Sequence, residues 1–193
     1  MCSTSHYDAG GVFWMDASRV LLLSGPFGVG KSSLTRELTS IYDFERISTS
    51  AYLNNFIPGA DHLGVAELRH AQQLTGDQLD VDTNFQWIVR PVAVEALKAH
   101  PSASRWIIDA VRKPLQVHYF RQEFGAAVRH VHLRATEELL RSRYLGSDEQ
   151  YAAAVSRPNE VSARSLGAIA DAVIDVGTLS PAELAAMIVH EVN

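Results

Sequence analysis

The sequence predicts an α/β fold, a five-stranded parallel sheet with helices on both faces, and three observations carry that expectation. Short apolar runs alternate five times with segments whose apolar residues recur at helical spacing. The first of those runs ends in a glycine-rich turn that opens a helix. The 193 residues contain no repeat, low-complexity tract or linker, so one domain of ordinary size is expected.

Taken in order, Arg19–Ser24 is a continuous apolar run closed by glycine, the pattern of a strand buried on both faces. Lys31–Tyr42 comes next, with Leu34, Leu38 and Ile41 on one helical stripe. Phe44–Ser48 reads as the second strand. Ala66–His100 reads as helix in two pieces, broken near Gly76 and again at Pro91. Trp106–Asp109 is the third strand, with a helix over Pro114–Glu123. Ala127–Leu133 is the fourth, backed by a helix over Glu137–Leu145. Ala172–Asp175 is the fifth. A closing helix over Pro181–His190 has Ser180 as N-cap and proline in its first turn. Residues 1–17, with Gly10 and Gly11, read as a loose tail ahead of a single domain over 18–193.

Composition narrows the class of protein. Hydrophobic content of 47% and charged content of 20% are those of a soluble globular chain. A net charge of −5 argues against a nucleic-acid partner, which needs clustered cations. No apolar run reaches the length of a membrane span, and residues 1–17 hold Asp8 but no Lys or Arg, unlike a signal peptide. The single cysteine, Cys2, leaves no internal disulfide and fits a reducing compartment. The expectation is a cytoplasmic protein, monomer or homodimer, with no membrane or nucleic-acid partner. Only three lysines stand beside 14 arginines. That excess suits bidentate phosphate contacts, and biased codon usage explains it equally well.

The most specific signal is Gly25-Pro26-Phe27-Gly28-Val29-Gly30-Lys31-Ser32, which fits G-x-x-x-x-G-K-[ST] at every fixed position. Backbone N–H groups can wrap a phosphate only where no Cβ blocks the approach, which is why the pattern demands glycine. The helix beginning at the loop directs its positive end at the same point. Lys31 would reach the terminal phosphates, and the Ser32 hydroxyl would hold Mg²⁺ with Ser33 beside it. The motif points to binding of a nucleoside triphosphate and leaves the fate of its phosphates open.

Beyond the loop, the chain resembles the nucleoside monophosphate kinases of adenylate kinase type and their nucleotide and dephospho-coenzyme A kinase relatives. Ile47-Ser-Thr-Ser-Ala-Tyr-Leu53 is similar to the family segment I-S-T-G-D-x-L-R, and departs from it at Ser50, Ala51 and Asn54. The arginine absent at Asn54 would grip the acceptor's phosphate, and Arg69 on the following helix is a substitute or an exposed helix residue. Trp106-Ile-Ile-Asp-Ala-Val-Arg-Lys-Pro-Leu-Gln116 is similar to D-G-F-P-R-x-x-x-Q, one residue shorter between Asp109 and Arg112. Glu137-Glu-Leu-Leu-Arg-Ser-Arg-Tyr-Leu-Gly146 is similar to the helix that leads into the family's lid. Ala170–Ser180 is similar to its last strand and turn.

The resemblance implies a three-layer P-loop kinase fold with an acceptor-binding helical insert at about 48–100 and a short lid at about 146–160. It implies ATP with Mg²⁺ as donor and a nucleotide acceptor. On the donor side it implies Gly25–Ser33, Arg143 against the base, and Val176 and Gly177 bordering the adenine. On the acceptor side it implies Thr49, Ser50, Arg69, Asp80, Arg112 and Gln116. Asp109 would share the metal ion with Ser32, or cap the turn at its strand end. Arg112 would clamp the acceptor or face solvent, and Arg157 would close with the lid, with Arg164 on the helix after it. Asp77, Asp80 and Asp82 would line the acceptor pocket, or cap a helix start at Asp82 or Thr83. His130 and His132 share one strand face and read as packing. The expected activity is ATP-dependent phosphoryl transfer to a (deoxy)nucleoside monophosphate. A small-metabolite or coenzyme-precursor kinase, or a P-loop ATPase or switch, are the alternatives.

Overall fold

In the computed structural model, which describes residues 19–192, all five expected strands form and pair in parallel. The tail expected over residues 1–17, and Cys2 within it, lie outside the described residues. The strands are β1 (Arg19–Ser24), β2 (Glu45–Ser48), β3 (Arg105–Asp109), β4 (Val128–Arg134) and β5 (Ala172–Asp175). Their order is β2-β3-β1-β4-β5, which places β1 at the centre. In register, Leu23 faces Asp109 of β3 and Ser24 faces His132 of β4. The crevice outside the carboxyl ends of β1, β3 and β4 is the ligand position of open parallel sheets.

Alternation along β1 explains the layers. Leu21 and Leu23 point to one face, where they meet Leu34 and Leu38 of α1 (Lys31–Ile41) and Leu184, Ala185 and Ile188 of α9 (Pro181–Val192). Val20 and Leu22 point to the other, against Val117 and Phe120 of α5 (Pro114–Phe124) and Trp87, Val92 and Leu97 from the segment before β3. Each fully buried leucine contributes about 1.5–3 kcal/mol by leaving water.

The helical insert departs from expectation. Helix α3 (Val65–Asp82) runs through Gly76 without a break. Gly76 packs beside Leu53 of α2 (Thr49–Asn54), where a Cβ would lie at ordinary contact distance, 3.5 Å from Leu53 Cδ1. The chain turns instead at Asn84 and Phe85, both at positive φ. Asp82 and Thr83 therefore end a helix and do not start one; Thr83 Oγ1 donates to Leu79 O at 2.6 Å and accepts from Trp87 N–H at 3.1 Å. Pro91 does not break the helical path: it sits in a single π-type turn, Val89–Val94, which continues into α4 (Glu95–Ala99). The lid segment is more ordered than a loop. After α6 (Glu137–Ser142) it folds as α7 (Asp148–Val155) and α8 (Pro158–Ser165). Ser147 caps α7 through a reciprocal bond with Gln150. Among the described residues no helix is long and apolar enough to cross a membrane.

Candidate active site

The loop between β1 and α1 is shaped by one steric fact. Gly25 has φ +135°, and a Cβ there would collide with Leu133 O of β4. Only glycine lets the chain leave β1 so close to its neighbour strand. The backbone is thereby turned back over the start of α1. Beneath it, Ser24 Oγ hydrogen-bonds His130 Nε2 at 2.7 Å and His132 Nδ1 at 2.9 Å. Both imidazoles are buried and pushed down to about 4, mainly by burial. The two histidines expected to be packing residues are a hydrogen-bonded brace under the loop.

Lys31, the first residue of α1, folds its ammonium back onto Gly25 O and Pro26 O, at 2.7 Å each. Burial pushes its pKa down to about 8, with the Arg112 charge acting in the same direction and Glu160 and Asp109 opposing it. These three side chains converge electrostatically on Lys31 from β3, the β3–α5 turn and α8. Asp109 ends β3 beside β1 and accepts from Arg46 Nη2 at 2.9 Å. Ser32 and Ser33 are exposed on the first turn of α1, and Arg112 is exposed beyond Asp109.

On the outer side of the loop, Arg143 Nη1 donates to Gly28 O at 3.2 Å. Arg143, Gly28, Gly30, Ser33, Val176 and Pro181 contribute to the lining of a cavity of about 320 Å³. Its lining mixes loop glycines with apolar side chains (Val29, Val176, Leu179, Leu184) and the polar Ser33 and Arg143. Gly177 lies in the turn after β5, its N–H bonded to Asp175 Oδ1 at 3.1 Å.

The residues expected on the acceptor side are dispersed. Thr49 and Ser50 open α2, capped by Ser48, whose Oγ accepts from Ala51 N–H at 3.3 Å. Arg69 is exposed on α3. Gln116 and Asp80 are buried and face inward. Gln116 Oε1 accepts from the N–H groups of Arg112 and Lys113 at 2.9 and 3.2 Å, and its Nε2 donates to Asp80 Oδ1 at 3.3 Å. Trp87 Nε1 donates to the same carboxylate oxygen at 2.8 Å. Burial raises the Asp80 pKa against the pull of those two hydrogen bonds. Both side chains thus brace α3 against α5. Asp77 accepts from Asn159 Nδ2 of α8 at 2.8 Å.

In the lid, Arg157 is exposed at the N-cap of α8. Glu160, which the sequence did not single out, is the residue that meets the loop: Phe27 N–H donates to its two carboxylate oxygens at 3.1 and 3.3 Å. Arg164 bonds Glu160 Oε1 through Nε at 2.9 Å and Glu137 Oε2 through Nη1 at 2.7 Å. Burial works against the Arg164 charge, and the two carboxylates outweigh it, so its pKa is raised. Tyr151 OH completes the set on Glu137 Oε1 at 2.6 Å. A sequence signal for this set is the i,i+4 pair Glu160–Arg164, which starts at the end of the expected lid and reaches into the helix after it.

A family model described as an AAA domain matches residues 21–154, which is more than half of the chain and runs from β1 through α7. The chain belongs to that AAA-domain family. No curated protein matches the sequence. Solved structures of similar fold include a sugar kinase from Janibacter sp. HTCC2649, at 14% identity and TM-score 0.53, covering 90% of this chain and 93% of that one. A shikimate kinase from Aquifex aeolicus aligns at 16% identity and TM-score 0.50, over 89% and 94% of the two chains. A protein from Eubacterium ventriosum aligns at 12% identity and TM-score 0.52, over 91% and 98%. At such identities the likeness is one of fold, and this AAA-domain chain has the P-loop kinase fold.

Proposed function

We propose that the protein transfers the γ-phosphoryl group of ATP to a small-molecule acceptor at the carboxyl ends of β1 and β3. The observation that carries this reading is the loop itself. Gly25 is held in a conformation only glycine tolerates, Lys31 is tethered inside the turn, and a cavity sized for a base lies beyond Gly28. The donor set also suits an anion, because the Phe27 N–H is already satisfied by a carboxylate.

Phosphoryl transfer asks for alignment and charge neutralisation more than for covalent chemistry. Lys31 and the loop N–H groups take the donor charge, and Arg143 flanks the base. Ser32 and Asp109 would hold Mg²⁺, which supplies further neutralisation across the phosphate oxygens. Arg112 and Arg46 hold an anionic group of the acceptor, and Arg157 lies on the lid side of the transferring group. With a hydroxyl acceptor, its oxygen forms the new bond to phosphorus, the bond to the leaving ADP oxygen breaks, and the hydroxyl proton passes to an oxygen of the transferring phosphoryl group.

The acceptor reading turns on Gln116 and Asp80. Their side chains are buried and engaged with each other, with Trp87 and with backbone N–H groups, so they offer no free edge to a base. This favours a hydroxylated small metabolite bearing a phosphate or carboxylate. A nucleoside monophosphate is the second reading, favoured by the segments Ile47–Leu53 and Trp106–Gln116, which resemble those of nucleotide kinases. ADP release should be measured with ATP and a panel of hydroxy acids, sugars, nucleosides and nucleoside monophosphates. Stimulation by a hydroxylated metabolite is the expected result, and stimulation by nucleoside monophosphates alone would restore the nucleotide reading. If no acceptor raises ADP release above that in water, transfer gives way to an ATPase or switch.

A further inference from the structure

The phosphate loop is engaged by an anion that the chain supplies itself. The Phe27 N–H of the loop points at both oxygens of Glu160, a residue 133 positions away. Backbone N–H groups in such loops are the ligands of phosphate oxygens, and a carboxylate offers the same charge sign and acceptor geometry. Glu160 is only 5% exposed, and a buried carboxylate is costly unless paired. Its pairing comes from Arg164 one turn later, which is itself shared with Glu137. The other guanidinium edge, Arg164 Nη2, is buried without a hydrogen-bond partner. The same turn of α8 is fastened to α3 through Asn159 and Asp77. Electrostatics agree with the geometry: Glu160 lies close enough to Lys31 to favour its charged form.

We propose that Glu160 is a self-ligand of the donor site, filling a phosphate position of the free loop until the donor's phosphates displace it. The proposal rests on reading Gly25–Ser32 as a triphosphate-binding loop and adds a gate to that reading. Displacement detaches α8 from Phe27 and leaves Arg164 paired with Glu137 alone, its unpartnered Nη2 available to the incoming phosphate. Glu160 thus couples occupancy of the loop to release of the lid.

The test is calorimetric binding of inorganic tripolyphosphate and of ATP to the wild type, Glu160→Gln and Glu160→Asp, with thermal melting as a check of folding. Both variants are expected to bind tripolyphosphate about tenfold more tightly, because the ligand no longer competes with a charged hydrogen bond. Glu160→Asp keeps the charge beside Arg164 and falls one methylene short of the loop, so it reports on reach should the glutamine variant not fold. In the wild type, the Glu160 side-chain carboxyl ¹³C signal should shift as tripolyphosphate is added. Equal or weaker binding by the folded variants, or an unmoved carboxyl signal at saturation, overturns the self-ligand and leaves the loop reading intact. Absence of binding to wild type and variants alike overturns the loop reading, and the self-ligand with it.

Discussion

In the phosphate loop the left-handed conformations are supplied by glycines within eight consecutive residues, whereas between β2 and β3 the polar side chains are tied down by partners from distant elements. Gly25 and Gly30, the two glycines the motif prescribes, adopt positive φ, as does Gly28 between them. In the other region, Asp80 is held by Trp87 and by Gln116, which lies 36 residues later on α5. A local motif carries its meaning in its spacing. A polar residue on a long helix acquires its meaning from whatever helix packs beside it. The loop therefore follows a general pattern, and the region between β2 and β3 is particular to this chain.

Substituting Lys31 breaks the comparison most forcefully. Lys31→Ala should lower ATP turnover by about 100- to 1,000-fold, the usual effect of deleting a donor aimed at developing charge; unchanged ADP release would remove the donor assignment. Gly25→Ala should cost roughly 2–4 kcal/mol in chemical denaturation, since a Cβ meets Leu133 O and the φ is unfavourable. On the acceptor side, Gln116→Ala should cost roughly 1–3 kcal/mol, because Asp80 and two backbone N–H groups lose a partner in a buried setting. A raised acceptor KM with no loss of stability would instead return Gln116 to base reading.

The brace beneath the loop gives a pH signature. His130 and His132 are held neutral in the fold, with pKa values of about 4 against 6.5 for an ordinary imidazole. Between these values the unfolded chain binds more protons, so stability is full above pH 6.5 and is lost as pH falls towards 4. Replacing both by glutamine should flatten that slope in urea titrations across the interval. Lys31 works in the same sense at higher pH: its folded pKa of about 8 lies below its ordinary 10.5, so stability rises between them. The smallest effect belongs to Arg69→Ala, which should stay within about 0.5 kcal/mol because the side chain is exposed. A marked rise in acceptor KM for that variant would place Arg69 in the site.

Much of the fold was legible because strands and helices advertise themselves by period. All five strands were read within about a residue of their observed bounds, α1 from its apolar spacing and α9 from Ser180 and Pro181 at its start. The breaks in the helical insert were misplaced because glycine and proline were taken as interruptions. Gly76 is instead a contact surface for Leu53, and Pro91 is absorbed by a π-type turn. The turn at Asn84 and Phe85 had no such marker, since neither residue is glycine. Helix α7 was hidden within the expected lid, while the helix expected after the lid, bearing Arg164, is α8.

The sequence by itself determined the alternation of strands and helices, the phosphate loop, and the placing of Asp109 at a strand end beside it. Those are matters of local period and of backbone space, which adjacent residues settle. Only the tertiary structure decided that Gln116 and Asp80 face each other, that Ser24 joins two histidines, and that Glu160 reaches the loop. Each of these depends on which elements pack together. A side chain's partners across 36 to 133 positions are set by the sheet order and the helices laid upon it.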